Sequence, residues 1–411
     1  MNDIFSPADI LLPNFIKDAE KAEKWAVVAC DQFTSEPEYW QHASELVADS
    51  PSTLNMILPE AFLSADTDNR LLCISDSMKH YKKNVLQKHE NTLIYVRRVQ
   101  SNGKTRCGIV GKIDLEAYDY SVGSVSDIRA TEGTVLERIP PRVAVRRAAS
   151  LEMPHVMLLI DDIEKKVIEP LASETADMTK LYDFDLMLGG GHITGYELSG
   201  KQINNVLTDL SNLFACKSGI KFAVGDGNHS LASAKARYEE LKAEVGEEKA
   251  KLHPLRFALC EVVNLHDNAL EFEPIYRLVK TKNIAALLSS LERYGSFCEG
   301  GGQFVKSLYG ENEKTVSLGK GTHSLTVGTL QKFLDDYKSQ NEDVEVDYIH
   351  GLDSIYKLSK ADNCVGFVFD GMEKEELFRA VESDGALPRK TFSMGEATDK
   401  RYYIECREIS E

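Results

Sequence analysis

Short apolar runs alternate with amphipathic helical patterns along most of the chain. Apolar runs of about four to eight residues, bounded by polar or turn-forming residues, are typical of buried strands. Such runs predict strands at Trp25–Ala29, Thr92–Val96, Gly108–Leu115, His155–Ile160, Ile220–Val224, Phe257–Val263, Gly366–Phe369 and Tyr402–Cys406. Because helical patterns fall between these runs, the sequence predicts a mixed α/β protein and not a helix bundle or a β-sandwich.

The segment Gln202–Phe214 illustrates the helical pattern. Its apolar residues recur three and four positions apart and share one helix face: Ile203, Val206, Leu207, Leu210 and Phe214. Ser199-Gly200 precedes the segment and Gly219 follows it, as is common at helix ends. The sequence therefore predicts an amphipathic helix here, followed directly by a strand.

The length of 411 residues is enough for more than one domain, and the composition of 43% hydrophobic and 27% charged residues is typical of globular proteins. The glycine run Gly300-Gly301-Gly302 is a candidate boundary. We therefore expect an N-terminal and central α/β region over residues 1–299, which carries the ligand site, and a C-terminal α/β region over residues 300–411.

The net charge restricts the class of partner. There are 65 Asp and Glu residues against 48 Lys and Arg, a formal charge of −17. Nucleic acid or an anionic membrane would have to bind against this overall field, so we expect neither as a partner and expect a small-molecule ligand instead. No apolar run approaches the roughly 20 residues of a membrane span, and Met1–Pro7 lacks the pattern of a signal peptide. These features predict a cytoplasmic protein, and they set no expectation for its oligomeric state.

The eight cysteines occur singly along the chain and form no C-x-x-C pair. Paired cysteines are the usual sequence signature of structural zinc sites. We therefore expect neither a zinc site nor a disulfide bond.

The most informative stretch is Gly225-Asp226-Gly227-Asn228-His229-Ser230, which follows an apolar run and precedes an alanine-rich helical pattern. Such a strand-to-helix turn places polar groups at the carboxyl edge of a sheet, where α/β proteins bind ligands. Asp226 is a candidate for Mg²⁺ or a hydroxyl, and His229 for a phosphate or a proton. The alternative is that Asp226 or Asn228 only caps the helix.

A second stretch concentrates arginine within an acidic chain, from Arg129-Ala-Thr-Glu132 to Arg146-Arg147. A helix beginning near Pro141 would place Arg142 and Arg146 one turn apart on one face. Guanidinium groups bind phosphate and carboxylate through two parallel hydrogen bonds, which favours an anion site. The alternative is a solvated helix whose arginines pair with Glu137 and Glu152.

A third polar turn follows the apolar run that begins at Trp25. Asp31 and Glu36 lie in this turn, and Pro37 is suited to the first position of a helix. Both acids are candidates to contact a substrate or metal, and ordinary helix capping is the alternative for both.

Five blocks together resemble a bacterial family known as domain of unknown function 1015. They are Trp25–Trp40, the Arg129–Thr134 block with Arg142, Gly225–Ser230, Tyr348–Gly351 and Leu387–Lys390. The resemblance spans nearly the whole chain, and the blocks occur in the family's order. Because the family is largely uncharacterised, its membership implies little about activity.

The block at Asp226 also resembles the motif of the ParB/sulfiredoxin-like superfamily, whose strand–turn–helix holds nucleotide phosphates. One branch contains free-serine kinases with the motif Asp-Gly-His-His-Arg. Asp226, Gly227 and His229 match it, whereas Asn228 and Ser230 replace a histidine and an arginine. The resemblance implies a nucleotide-binding core of that type. The arginine of that motif is missing here, and our hypothesis is that Arg129 or Arg142 supplies the cation from the other block.

Two functions remain open from the sequence. The first is nucleotide-dependent phosphoryl transfer to a small molecule, with free serine as the candidate acceptor and with Mg²⁺ and ATP or ADP as cofactors; Asp226 holds the metal. The second is a non-catalytic regulatory protein that binds a nucleotide or metabolite. The expected catalytic residues are Asp226, His229 and Glu132. The expected binding residues are Arg129, Arg142, Asn228, Ser230, Asp31 and Glu36.

Overall fold

The computed structural model describes residues 4–62, 67–153, 156–217, 219–296 and 302–410. The strands are β1 (Phe5–Ser6), β2 (Ala8–Pro13), β3 (Leu86–Thr92), β4 (Ile94–Val99), β5 (Thr105–Asp114), β6 (Tyr118–Asp119), β7 (Ile128–Ala130), β8 (Leu151–Glu152), β9 (Met157–Ile160), β10 (Thr179–Asp185), β11 (His192–Glu197), β12 (Phe222–Asp226), β13 (Phe257–Asn264), β14 (Phe272–Lys280), β15 (Gln303–Tyr309), β16 (Asn312–Gly319), β17 (Glu345–His350), β18 (Cys364–Val368), β19 (Phe392–Met394) and β20 (Arg407–Glu408). The helices are α1 (Ala19–Trp25), α2 (Pro37–Val47), α3 (Thr67–Asn84), α4 (Ile139–Ala148), α5 (Gly200–Ala215), α6 (Asn228–Val245), α7 (Glu247–Ala250), α8 (Ile284–Ser296), α9 (Thr326–Gln340), α10 (Leu352–Leu358) and α11 (Lys374–Asp384). These elements confirm the predicted mixed α/β class.

The chain forms two compact units. The first comprises Met1–Ala130, Thr134–Leu270 and Glu396–Glu411, and the second comprises Thr131–Gly133 and Glu271–Gly395. The predicted boundary between residues 299 and 300 stays a prediction, because the compactness of a unit does not test whether a domain folds independently.

The first unit is built on a ten-stranded mixed sheet of order β10-β11-β4-β5-β13-β9-β12-β7-β6, with β1 beside β5. Most neighbouring strands are antiparallel, but β12 is parallel to β7, with Val224 opposite Ala130. The carboxyl ends of β12 and β7 therefore lie at the same edge of the sheet. That edge carries the turn after Asp226 and the segment that follows Ala130.

Two hydrophobic clusters cover the two faces of this sheet. Ile94 and Val96 of β4 belong to a cluster that includes Trp25 and Trp40, whereas Tyr95 belongs to a cluster that includes Phe222. Successive side chains of a strand point to opposite faces, which explains how one strand contributes to both cores. The sheet is thus buried on both sides, as apolar strands predict.

The structure confirms several predicted elements. The runs at Gly108–Leu115, Ile220–Val224, Phe257–Val263 and Gly366–Phe369 coincide with β5, β12, β13 and β18 to within a few residues. The predicted helix at Gln202–Phe214 is α5, where Ser199 and Gln202 form a reciprocal capping box at the N-terminus. The strand predicted at His155–Ile160 corresponds to β9, which begins at Met157. His155 lies outside the described residues.

Two predicted strands are wrong. Trp25 ends α1, and the rest of the run Trp25–Ala29 forms only one β-bridge, between Val27 and Tyr403. In the run Tyr402–Cys406 the structure likewise has isolated bridges, and the strand begins at Arg407. Both runs are apolar because their side chains are buried in the core that contains Trp25. The side chains pack in that core although the backbone of neither run forms a strand of a sheet.

The second unit contains a smaller sheet of order β16-β15-β18-β14-β17, with β19 beside β14. All the pairings recorded in this sheet are antiparallel. Helices α8 to α11 belong to this unit. Arg277 lies on β14 and is fully buried.

No helix in the described part of the chain combines the length and the apolar character needed to cross a membrane.

The β10–β11 hairpin contains a histidine held between two carboxylates. His192 Nδ1 lies 2.6 Å from Asp185 Oδ1, and its Nε2 lies 2.7 Å from Asp183 Oδ1. Partial burial would lower the pKa of His192, but the two carboxylates outweigh burial and raise it. Protonation of His192 therefore stabilises the folded hairpin.

We expect Asp183→Asn to lower the pKa of His192, measured by NMR titration of its ring protons. In the wild type, the stabilisation of the folded hairpin by protonated His192 is complete below the pKa of an unfolded histidine, about 6.5. This stabilisation is lost as the pH rises through the higher pKa of His192 in the fold. It is at most about 1 kcal/mol, because the side chain is 39% exposed and solvent screens the pairs. Asp76→Asn, which removes a surface partner of Lys79, is the matched control. Identical titration curves for wild type and Asp183→Asn would contradict this account.

Candidate functional site

The predicted turn is present at the carboxyl end of β12. Gly227 adopts a left-handed backbone conformation with φ of +79°, which a residue with a Cβ rarely adopts. A Cβ at this position would also lie 2.9 Å from the Cα of Val156. The Asp226 carboxylate accepts the Gly227 N–H at 2.9 Å, so the turn is fixed by both steric and hydrogen-bonding constraints.

The N-cap position of α6 falls on the residue after Asp226. Gly227 is the N-cap of α6, and it has no side chain that could accept an amide of the first turn. Leu231 N–H binds the Gly227 carbonyl, whereas the amides before it precede the first intrahelical bond. The N-terminus of α6 carries the positive end of a helix dipole, which favours an anion.

The second stretch, from Arg129 to Arg147, contacts this turn through Thr134 and Val135. His229 Nε2 accepts the backbone N–H of Val135 at 3.2 Å, and Asn228 Nδ2 donates to Thr134 Oγ1 at 3.3 Å. Because Nε2 is an acceptor here, a neutral His229 carries its proton on Nδ1. The structure thus brings Asn228 and His229 against the 134–135 segment, as the shared sheet edge requires.

The arginines of the second block have separate environments. Arg129 Nε donates to the Ser126 carbonyl at 2.9 Å, and Arg142 Nη1 donates to the Arg138 carbonyl at 2.9 Å. Arg146 pairs with the buried Glu152 at 2.6 Å, which is the pairing that the structural alternative predicted for this helix. The charge of Arg142 also acts on Tyr403, where it lowers the pKa of the phenol against the effect of burial.

Sequence reasoning missed a lysine at the turn. Lys400 Nζ lies 3.5 Å from Asp226 Oδ2, and both side chains are largely buried. Tyr403 comes from the same C-terminal segment; burial raises its pKa, the charge of Asp226 raises it further and Arg142 opposes this. A composite site around Asp226 therefore contains the ammonium group of Lys400. No residue pattern near Asp226 predicts this contact, because the two residues are far apart in sequence.

Cys30, in the segment that begins at Trp25, lies within the electrostatic environment of the turn. Burial raises the pKa of the Cys30 thiol to about 11, and this thiol also feels the charges of Lys400 and Asp226. A thiol with that pKa is protonated at neutral pH, so it is unsuited to act as a nucleophile. All seven cysteines in the described residues are free thiols.

The two acids predicted in this segment are placed differently. The backbone of Asp31 begins a short 3₁₀ helix, and its side chain lies outside the described part of the structure. Glu36 is the exposed N-cap of α2, with Pro37 following, but its side chain makes no capping hydrogen bond. A ligand contact by Glu36 stays a prediction. Ser230 occupies the first turn of α6 and is half-buried.

Glu132 belongs to the second unit. Its backbone forms a parallel bridge with Leu387, flanked by the hydrogen bond from Leu387 N–H to the Thr131 carbonyl at 2.8 Å. Burial lowers the pKa of Arg277 to about 10, and the charges of Tyr348 and Glu132 oppose this shift. The structure therefore places Glu132 in the electrostatic environment of a buried arginine that the sequence analysis did not single out.

The donor set near Asp226 fits a metal ion only in a limited way. Within the described residues, no group of three or more His, Cys, Asp or Glu side chains is arranged to hold a metal ion. Mg²⁺ in phosphate-transfer sites is commonly held by one or two carboxylates together with substrate phosphates. Asp226 fits that minimal role, in which the ligand supplies most of the oxygen atoms.

Comparison with known proteins gives one family match. The family described as "Protein of unknown function (DUF1015)" matches residues 14–355. None of the curated proteins gives a significant match to the chain.

Solved structures show weaker similarity. A variant of free serine kinase in complex with ADP is 13% identical, covers 72% of this chain and 91% of its own, and has a TM-score of 0.38. Free serine kinase in complex with AMP is 11% identical, with coverage of 71% and 90% and the same TM-score. C-terminally truncated SbnI from Staphylococcus aureus is 11% identical, with coverage of 70% and 82% and a TM-score of 0.37. Similarity at this level does not establish a shared activity.

Proposed function

The chain belongs to the family of unknown function DUF1015, and we propose that it is a nucleotide-dependent phosphotransferase acting on a small molecule, with free serine as the candidate acceptor. The observation that carries this proposal is the composition of the turn after β12. There Asp226 and Lys400 lie together beside the N-terminus of α6, and that helix has no N-cap side chain. A cation, a carboxylate and helix amides at one point suit a phosphate that carries a metal ion.

The physical basis of the proposal is charge neutralisation. Phosphoryl transfer requires positioning of the donor and stabilisation of negative charge, with little further chemistry from the protein. The helix amides and Lys400 attract phosphate oxygens, and Asp226 is the residue that would hold Mg²⁺. When bound, Mg²⁺ would neutralise charge on the phosphates. The sequence assignment of Arg129, Arg142, Asn228, Ser230, Asp31 and Glu36 as further ligand contacts stays a prediction.

The transfer balances without any other reactant. The serine hydroxyl oxygen bonds to the terminal phosphorus of the nucleotide, and the bond from that phosphorus to its bridging oxygen breaks. The hydroxyl proton leaves to a base, and the products are phosphoserine and the shortened nucleotide. Glu132 as the catalytic carboxylate is a prediction from the sequence.

One observation favours the second candidate, a regulatory protein that binds the nucleotide without turnover. The Nε2 atom of His229 is the acceptor of the Val135 N–H, and so it is already engaged in the structure. A histidine that serves as a proton acceptor needs an available nitrogen within hydrogen-bond reach of the substrate. His229 therefore suits a binding role as arranged here.

Product formation separates the two candidates. We expect the purified protein with Mg²⁺ and ATP or ADP to convert serine to phosphoserine, detected by mass spectrometry. Alanine, which lacks only the acceptor hydroxyl, is the matched control and should give no phosphorylated product. Nucleotide binding without product across a broad panel of small hydroxyl compounds would contradict the kinase and support the regulator.

A further inference from the structure

Arg277 of β14 connects separated stretches of the second unit. Its guanidinium carbon lies 4.7 Å from the centre of the Tyr348 ring, which occupies the opposite register position on β17. Its Nη1 donates to the Lys390 carbonyl at 2.9 Å, and its Nη2 donates to the Arg389 carbonyl at 3.4 Å. Arg277 therefore joins β17 to the segment that precedes β19.

The hydrogen bonds of the buried Arg277 guanidinium go to neutral oxygens. Nε donates to Gln331 Oε1 at 2.6 Å, and the two terminal nitrogens donate to backbone carbonyls. Burial lowers the pKa of Arg277 to about 10, and the charges of Tyr348 and Glu132 oppose this shift. A buried charge is costly, and proteins usually pair it with an opposite charge. Here the cation is instead spent on holding backbone, and its charge acts on Glu132.

The carbonyls that Arg277 binds belong to a turn over residues 388–391. Lys390 has a left-handed backbone conformation with φ of +57°, which a residue with a Cβ rarely adopts. The Thr391 hydroxyl donates to the Pro388 carbonyl at 2.6 Å and closes the turn. A strained backbone conformation of this kind persists only where surrounding contacts hold it, and the guanidinium supplies such contacts.

Glu132 is held by the residue that precedes this turn. Leu387 is buried and forms a parallel bridge with Glu132. The Leu387 N–H donates to the Thr131 carbonyl at 2.8 Å, and the Leu387 carbonyl accepts the Gly133 N–H at 3.3 Å. Because these two hydrogen bonds flank Glu132, a displacement of Leu387 also displaces the Glu132 backbone.

We infer that Arg277 is a positioning residue for Glu132, which it holds through the turn 388–391 and Leu387. This inference rests on the proposed function, in which Glu132 is the predicted catalytic carboxylate. A catalytic carboxylate must lie within hydrogen-bond reach of the proton that it removes. A displacement of about 1 Å can cost about 100-fold in rate, so the backbone that carries such a residue has to be fixed.

The test measures phosphoserine formation and, by calorimetry, ADP affinity for Arg277→Met and Arg277→Lys. Methionine keeps much of the apolar stem and removes the hydrogen-bond donors. We expect Arg277→Met to lower kcat by at least about 10-fold and to leave ADP affinity unchanged, because only the position of Glu132 is altered. Arg277→Lys should recover part of the loss, since its ammonium group can still donate to a carbonyl of the turn.

The matched control is Arg379→Met. Arg379 is an exposed residue of α11 in the same unit, so the same chemical change is made away from the turn. This control should change neither kcat nor ADP affinity.

Hydrogen–deuterium exchange tests the structural step separately from activity. In Arg277→Met the amide of Leu387 should exchange faster than in the wild type, because the turn next to it is released. The amides of β15 and β16, in the sheet of the same unit, should exchange as in the wild type. Unchanged exchange at Leu387 overturns the inference.

Gln331→Met is a second variant, which covers a failure of Arg277→Met to fold. It removes the oxygen that accepts Arg277 Nε and retains the buried guanidinium. We expect the same pattern with a smaller loss of kcat.

The remaining outcomes are distinct. Unchanged kcat in folded Arg277→Met, or in Gln331→Met where only that variant folds, overturns the inference and leaves the proposed function standing. Equal loss of kcat and of ADP affinity would show a general effect on folding and also overturns the inference. A wild-type protein that binds nucleotide and forms no phosphoserine contradicts the proposed function, and the inference falls with it.

Discussion

Asp226→Asn is expected to remove Mg²⁺-dependent nucleotide binding while the fold remains intact. The amide is nearly isosteric with the carboxylate, and its oxygen can still accept the Gly227 N–H. It lacks the negative charge that a hard cation requires. We expect the affinity for Mg-ATP and Mg-ADP, measured by titration calorimetry, to fall by at least about 10-fold, with phosphoserine formation lost in parallel.

The matched control for this variant is Asp127→Asn. Asp127 pairs with Lys221 at 3.1 Å, near the opposite end of β12, so the same change of charge is made in the same sheet away from the turn. Without Mg²⁺, Asp226→Asn should bind ADP at least as well as the wild type, because a negative charge near the phosphates is removed. If Asp226→Asn binds Mg-ADP as tightly as the wild type does, Asp226 is not the metal ligand.

Arg401→Met is expected to cost about 3–5 kcal/mol of the free energy of unfolding of the first unit, the cost typical of breaking a buried ion pair. The variant leaves Glu261 and Glu405 buried without their shared guanidinium. Burial alone would lower the pKa of Arg401, but the charges of Glu405 and Glu261 outweigh it and raise the pKa. The arginine is therefore charged in the fold, and its removal leaves Glu261 with Arg106 at 3.8 Å and Glu405 with the Tyr182 hydroxyl at 2.6 Å as their partners.

Tryptophan fluorescence during urea unfolding measures this effect, because both tryptophans of the chain, Trp25 and Trp40, lie in the core of the first unit. The control is Lys24→Met, which removes an exposed helical pair with Glu20. Such a pair contributes about 0.3–0.5 kcal/mol, so its unfolding midpoint should barely change. Equal midpoints for Arg401→Met and wild type would show that the network does not stabilise the unit.

Local patterns in the sequence predicted several elements because those elements depend on neighbouring residues. The apolar face of α5 and the Ser199 capping box lie within one short segment, and the period of that segment suffices to predict the helix. The turn after β12 was also predictable, since Gly227, Asn228 and the helical pattern after them are adjacent in sequence. The carboxyl edge of the sheet then followed from the general behaviour of α/β folds.

The two wrong strand predictions have a common cause. The runs at Trp25–Ala29 and Tyr402–Cys406 are apolar because each is buried, and an apolar run by itself does not distinguish packing from sheet pairing. In the structure they pack in the same core, and they are joined by the bridge between Val27 and Tyr403 and by the indole hydrogen bond from Trp25 to Ile404. Their structure was thus decided by contact between the two ends of the chain.

The sequence by itself determined that Asp226, Asn228 and His229 share one turn, because chain connectivity and the glycine between them impose it. Only the tertiary structure decided which charges surround that turn. It brings Lys400 to Asp226, and it pairs Arg146 with Glu152. The physical reason is that a charged side chain finds its partners in three dimensions, after packing has brought distant segments together, whereas residue patterns carry information chiefly about neighbours within a few turns.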